Sequence, residues 1–153
     1  MVFNTEMAQD SKAVGQWHTT LGGGMISAGV GGGLTGKGGN ILLTDDPVKN
    51  QEDADSALKR QKVWDWYQST FRTRKMDDQS SEIIMMTRWH EDDLAGRLLA
   101  AEDDWYVVKV PAIRRNGESN WSDRFSTEYF EKIKKEVGPR VWSSLYMQDP
   151  KPI

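Results

Sequence analysis

Residues Asn40 to Pro47 read Asn-Ile-Leu-Leu-Thr-Asp-Asp-Pro, and no other stretch constrains the fold as much. Ile41, Leu42 and Leu43 run without a polar interruption, a pattern that fits a central parallel strand covered on both faces. Pro47 has no N–H and cannot prolong a ladder. Asp45 and Asp46 therefore fall at a strand's carboxyl end, the edge at which open α/β sheets bind ligands. Adjacent carboxylates there suit a hydrated Mg²⁺ and an oriented water. Asp-Asp-Pro is equally ordinary turn chemistry, and on this stretch alone both readings stay open.

A long helical pattern follows. Ala54, Ala57, Leu58, Trp64, Tyr67 and Phe71 recur at three- and four-residue steps. Glu52, Asp53 and Asp55 come early and Arg72, Arg74 and Lys75 late, as the helix dipole favours. Trp64 is expected in the core, with Trp66, two positions on, facing another subdomain. Glu82 to Thr87 reads as a second buried strand. A right-handed strand–helix–strand crossover makes the two strands parallel and brings Asp45, Asp46 and Thr87 together. Arg88 to Asp93 is expected to open a helix through Leu94, Leu98 and Leu99, interrupted by Gly96. Trp105 to Val110, closed by Pro111, is a third strand candidate. Ser126 caps a helix from Thr127 that Gly138-Pro139 stops, with last turns through Trp142, Leu145 and Tyr146.

Upstream, residues 1–14 receive no assignment. Two short β pieces, 16–20 and 25–29, are joined by Leu21-Gly22-Gly23-Gly24. Residues 29–39 hold seven glycines in eleven positions. Gly31 to Lys37 has the G-x-x-x-x-G-K spacing of a phosphate loop, but Gly38 stands where Ser or Thr would ligate Mg²⁺. The segment also precedes a strand instead of opening a helix, so a flexible turn is the better reading.

The totals narrow the function classes. At 153 residues, 37% hydrophobic and 28% charged, the chain suits one domain with a core. A net charge of −3 excludes a polycation that coats nucleic acid by charge alone. Any such contact is local, at runs such as Arg72 to Lys75, Arg114-Arg115 or Lys132 to Lys135, each of which reads singly as a solvated helix end. Without Cys and with two His, a disulfide frame and a thiolate metal site are out. A soluble, intracellular protein is expected, since no signal-like or long apolar span occurs.

Thr87-Arg88-Trp89-His90-Glu91-Asp92-Asp93 supports two readings. It fits an N-capped helix with acidic residues in its first turn. It also fits a site in which the Thr87 hydroxyl senses a γ-phosphate and Arg88 stabilises charge. His90 with Glu91, Asp92 or Asp93 makes a poor metal cluster, because successive positions at a helix start diverge.

Together these segments resemble the large terminase subunit of tailed bacteriophages, the ATP-driven DNA-packaging motor. The resemblance rests on Gly31 to Gly36, Ile41 to Pro47, Ala54 to Ser56, Thr87 to Leu94 and Leu145 to Pro150, and spans Trp17 to Pro150. It implies an α/β fold: a partial P-loop NTPase-type, mostly parallel sheet with flanking helices in residues 15–125, then a short helical subdomain in 126–153. It implies ATP and Mg²⁺ as cofactors, with Asp45 as the Walker B metal carboxylate. Asp46 takes the position of a catalytic Glu, Thr87 is a nucleotide-binding and coupling residue, and Arg88 stands beside it. The implied partners are double-stranded DNA, a portal protein and a small terminase subunit, with a homo-oligomeric ring in the host bacterial cytoplasm. The implied Walker A segment upstream of Trp17 and nuclease after Pro150 are not in the sequence, so an internal slice that hydrolyses nothing by itself is expected. Two other classes stand beside this one: a metal-dependent nuclease using Asp45 and Asp46, with Asp92 or Asp93 as optional further ligands, and a non-catalytic partner-binding remnant.

Overall fold

The computed structural model describes residues 4–34, 36–101 and 104–151. Met1 to Phe3 of the unassigned stretch, Thr35 of the glycine-rich segment and Pro152 of the C-terminal ending lie outside the described residues. Strands β1 (Met7–Ala13), β2 (Gln16–Thr19) and β3 (Gly24–Ile26) form an antiparallel sheet in that order. The expected pair is β2 and β3, with Trp17 opposite Met25. Gly22 turns the chain at φ 86° while Thr19 Oγ1 accepts the Gly23 amide at 2.9 Å. β1 lies in the stretch that received no assignment. Its Met-Ala-Gln-Asp-Ser-Lys-Ala has no apolar alternation, and pairing with β2 defines it.

β4 (Ile41–Asp45) and β5 (Ser81–Met85) pair in parallel, from Ile41 opposite Ser81 to Asp45 opposite Met85. With the helices around them they make a mixed α/β fold, consistent with part of a P-loop-type domain, followed by a C-terminal helical segment. The expected single helix between the strands is two, α1 (Gln51–Asp55) and α2 (Ala57–Trp66). Ser56, extended at φ −76° and ψ 108°, divides them and accepts the Lys59 amide as the cap of α2. A serine that can bond locally to backbone favours such a break over helix interior. A wide π turn, Tyr67–Phe71, and a 3-10 turn, Arg72–Arg74, then lead to β5.

The core comprises Leu42, Val48, Ala54, Val63, Trp66, Tyr67, Phe71, Leu94 and Leu98. Burial of each Val, Leu and Phe side chain in this set contributes about 1.5–3 kcal/mol by leaving water, and the Ala54 methyl less. The expectation for the tryptophans is corrected at Trp66, which lies in the core itself, while Trp64 packs against the core from its margin. Val63, Trp66 and Tyr67 follow three- and four-residue steps and so share the inward face. Trp64 is half-buried, with the Arg97 guanidinium 5.8 Å from its ring centre, and Leu58 is exposed. Burial of the sheet on both faces is also corrected. Leu42 and Thr44 face the helices, whereas Ile41 and Leu43 of β4 and Ile83 and Met85 of β5 stay about half or more exposed. The described helices pack on one face, and strand alternation leaves the other set outward.

Two further expectations change. Arg88 to Asp93 is a turn; α3 (Leu94–Ala100) begins only after Asp93, whose carboxylate caps it. Trp105 to Val110 is not a strand: it pairs with no described strand edge, and Tyr106 is 93% and Val108 72% exposed. α4 (Thr127–Val141), capped by Ser126, breaks at Gly138 (φ 77°, ψ 167°), where the sequence places its stop, and runs on through a π turn, Trp142–Tyr146. Phe130 and Trp142 are buried in an aromatic cluster of their own, with Trp142 stacked on Tyr146 at 5.3 Å. The Arg140 guanidinium pairs with the Asp55 carboxylate of α1. Among the described residues no helix is long and apolar enough to cross a membrane.

Candidate functional site

Parallel pairing puts the carboxyl ends of β4 and β5 side by side, and the residues singled out from sequence meet there. The Asp46 amide donates to the Met85 carbonyl at 2.9 Å, extending the ladder one step past Asp45. The chain then turns. Asp46 takes φ 41°, a left-handed conformation that Asp tolerates better than most residues. Its Oδ1 accepts the Thr87 amide at 2.8 Å, so the two strand ends are tied by a side chain as well as by the ladder.

Alternation along β4 separates the neighbours of this edge. Asp45 is exposed, and its carboxylate forms no hydrogen bond or ion pair with any described residue. Thr44 points the other way, is 4% exposed, and leaves Oγ1 buried with no partner among the described residues.

Arg88 lies at the same edge but its guanidinium faces elsewhere. Nε donates to both Asp93 oxygens, at 3.0 and 2.9 Å, and Asp93 is 1% exposed. Asp93 Oδ1 also accepts the Gly96 amide at 2.8 Å as the cap of α3. A buried carboxylate needs such partners, since losing one would strand a charge. The Arg88 amide donates to Gln148 Oε1 at 3.1 Å, and Gln148 has φ 54°. The sequence offers Asp93 as a first-turn acid and as a candidate metal ligand, not as the partner of Arg88, and assigns Gln148 no role of its own; the Met-Gln-Asp-Pro ending is the one signal for the latter.

Asp92 belongs to a separate network. Arg97 donates to it from Nε and Nη2 at 2.8 and 2.9 Å, and Arg60 from Nε at 3.1 Å. These hydrogen bonds, Arg97's first, hold its pKa down at about 2. Arg60 also reaches the Ala54 carbonyl and Arg97 the Gln61 side chain, so Asp92 locks α3 to α2. His90 Nδ1 accepts the Asp92 amide at 3.0 Å. Among the described residues no group of three or more His, Asp and Glu is placed to hold a metal ion together.

The Gly31 to Lys37 segment runs into β4 and opens no helix, and Lys37 Nζ donates to Gln16 Oε1 at 2.9 Å. A hollow of about 400 Å³ lies at the opposite end of β5, around Ser81 and Glu82, away from Asp45. There Glu82 receives Tyr67 Oη at 2.7 Å and Lys75 Nζ at 2.8 Å.

Compared with curated proteins, the chain gives no match. The family model described as terminase large subunit, T4likevirus-type, N-terminal, matches residues 15–149, from the start of β2 through the C-terminal turn that holds Gln148. That span takes in both strands, the Asp45–Asp46 turn and the Thr87 edge, and by it the chain belongs to the terminase large subunit family.

Proposed function

We propose that this chain is part of the ATPase region of a phage DNA-packaging motor, in which its sheet edge binds the metal and senses the nucleotide. The observation that carries the reading is the in-register parallel pairing of β4 and β5, which sets Asp45, Asp46 and Thr87 at one carboxyl edge. In this reading β4 is the Walker B strand, 15–125 is ATPase core and 126–153 a helical subdomain. Its own aromatic cluster around Phe130 and Trp142 supports that division.

Asp45 fits a Mg²⁺ ion by its chemistry. It is a hard oxygen donor, exposed at a strand end and not committed to any described partner. Mg²⁺ keeps most of its waters and takes one or two carboxylates plus phosphate oxygens, so a single free carboxylate suffices. When bound, the ion would neutralise charge on the transferring phosphoryl group. Asp46 stands where a carboxylate would polarise the attacking water, and one of its oxygens is held by the Thr87 amide. Thr87 would report the γ-phosphate through its strand-end position. Arg88 serves as a charge stabiliser only if its pair with Asp93 opens. DNA, a portal protein, a small terminase subunit and further copies in a ring are the partners this reading assigns, with ATP as the fuel.

The nuclease alternative rests on Asp45 and Asp46; its optional further ligands, Asp92 and Asp93, are both committed to arginines. Mg²⁺- or Mn²⁺-dependent plasmid nicking without ATP would favour it.

ATP turnover tests the reading. Gly31 to Lys37 opens no helix, so these 153 residues alone are expected to turn over no ATP. Joined to a segment bearing a helix-opening phosphate loop, they should hydrolyse ATP, and Asp45→Ala should lower the rate about a hundredfold or more. Turnover by the 153 residues alone that Asp45→Ala abolishes would give Lys37 the phosphate-binding role. Turnover in the longer protein that survives Asp45→Ala would remove Asp45 from the metal site.

A further inference from the structure

Among the described residues, Asp46 (φ 41°) and Gln148 (φ 54°) are the only non-glycine positions with a left-handed backbone. Their side chains take consecutive amides. Asp46 Oδ1 accepts from Thr87 N at 2.8 Å and Gln148 Oε1 from Arg88 N at 3.1 Å. Gln148 is held at its other end as well, where Nε2 donates to the Leu145 carbonyl at 2.6 Å. Strained backbone persists only where the surroundings over-determine it, and it gathers at switch regions.

The two amides flank the Thr87 Cα. Because peptide units are planar, holding both N–H groups restrains φ and ψ of Thr87, the soft backbone dihedrals that aim its side chain. One clamp comes from the end of β4. The other comes from the C-terminal segment, which is itself anchored through Arg140 on Asp55 and through the Tyr146 carbonyl on the Ala112 amide at 2.7 Å.

We infer that Gln148 is a positioning residue that acts through the Arg88 amide to set Thr87 against Asp46, coupling the C-terminal helical segment to the carboxyl edge of the parallel sheet. A shift of the helical segment loosens the peptide unit after Thr87, and a change at Asp46 loosens the one before it. Each is then felt at the other. The functional meaning rests on the nucleotide-site reading above, but the coupling is a property of the free chain.

Backbone amide hydrogen exchange of the 153-residue chain, without nucleotide, tests it. Gln148→Met keeps length and removes both hydrogen bonds. It should lower protection at Arg88 and also at Thr87 at least tenfold relative to two distant amides, Ser81, which donates to the Asn40 carbonyl, and Arg60, which donates to that of Ser56. Gln148→Glu keeps an acceptor and should preserve Arg88 protection. Gln148→Gly removes the side chain while accommodating the positive φ, and decides the matter if the Met variant is unstable. Loss at Thr87 no greater than at Ser81 and Arg60 in both variants overturns the coupling. Absence of ATP turnover in the longer protein would defeat the nucleotide reading and leave the exchange result standing.

Discussion

The Asp46 carboxylate accepts the Thr87 amide at 2.8 Å across the ends of two parallel strands, joining residues 41 positions apart. The ladder brings the strands side by side, but it stops at the Asp46 amide on the Met85 carbonyl. Beyond that point the geometry of the edge depends on one side chain and on the left-handed backbone that aims it. Sheet pairing and site geometry are therefore separable, and substitution at Asp46 distinguishes them.

Asp46→Ala removes the acceptor and forces a Cβ-bearing residue without a polar side chain into φ 41°. Losing an exposed hydrogen bond and adding left-handed strain should together cost about 1–2 kcal/mol. Asp46→Gly loses the same hydrogen bond without the strain, and should be about 1 kcal/mol less destabilised than Asp46→Ala. Urea midpoints at unchanged slope measure the difference. Equal midpoints for the two variants would mean that the turn is not left-handed in solution.

Thr44 offers the opposite sign. Its Oγ1 is buried with no partner among the described residues on the face away from Asp45, and an unsatisfied buried hydroxyl is destabilising. Thr44→Val keeps the shape and the β-branching and removes the polar atom. A gain of about 1 kcal/mol is expected, or about 2–4 °C in Tm for a chain of this size. A lower Tm would show that the hydroxyl is hydrogen-bonded after all.

How far these features are legible from sequence follows the range of the interactions that make them. β4 and β5 announce themselves because Ile41 to Leu43 and Ile83 to Met86 are apolar runs ended by polar residues, and the helix between them makes the pairing parallel. The Ser126 cap and the Gly138 break are local chemistry, readable within a few residues. β1 is not readable, since Met7–Ala13 becomes a strand only by pairing with β2. Trp105 to Val110 shows the converse, a stretch rich in aromatic and β-branched residues that finds no described strand partner. At the edge, the meeting of Asp46 with Thr87 follows from the crossover. That Arg88 turns to Asp93, and that Gln148 takes the Arg88 amide, depends on tertiary packing that no local pattern encodes.

Acid should reveal the Asp92 network. A carboxyl whose folded pKa, about 2, lies below its ordinary 3.8 stabilises the fold above that ordinary value and loses the contribution as pH falls from there towards 2. Arg97 is the leading cause, so Arg97→Ala should raise the Asp92 pKa towards 3.8 and flatten the stability loss between pH 4 and pH 2. The effect on stability is modest, because the Asp92 side chain is 43% exposed and screened by solvent. Carboxyl carbon shifts followed by NMR give the pKa directly. An Asp92 that titrates near 3.8 with Arg97 intact would mean that the α2–α3 pairing is not formed in solution.

Gly96 gives the sharpest contrast between local and tertiary reasoning. It lies inside α3, where Ala is about 1 kcal/mol more favourable than Gly by helix propensity, so propensity alone makes Gly96→Ala stabilising. A Cβ at this position would lie 1.8 Å from the Glu91 carbonyl oxygen and 3.1 Å from Arg88 Nη2. The obstacle is backbone, so the 88–93 turn itself must move, and with it the Arg88–Asp93 pair and the Asp93 cap on the Gly96 amide. Overpacking of this kind costs about 1–3 kcal/mol even before a buried ion pair is disturbed. Gly96→Ala should therefore destabilise by about 2 kcal/mol or more in urea unfolding and shift the Thr87 and Arg88 amide resonances, which the same turn positions. A stabilised variant with those resonances unmoved would show that the turn does not approach the helix this closely, and Arg88 would then be free to face the sheet edge.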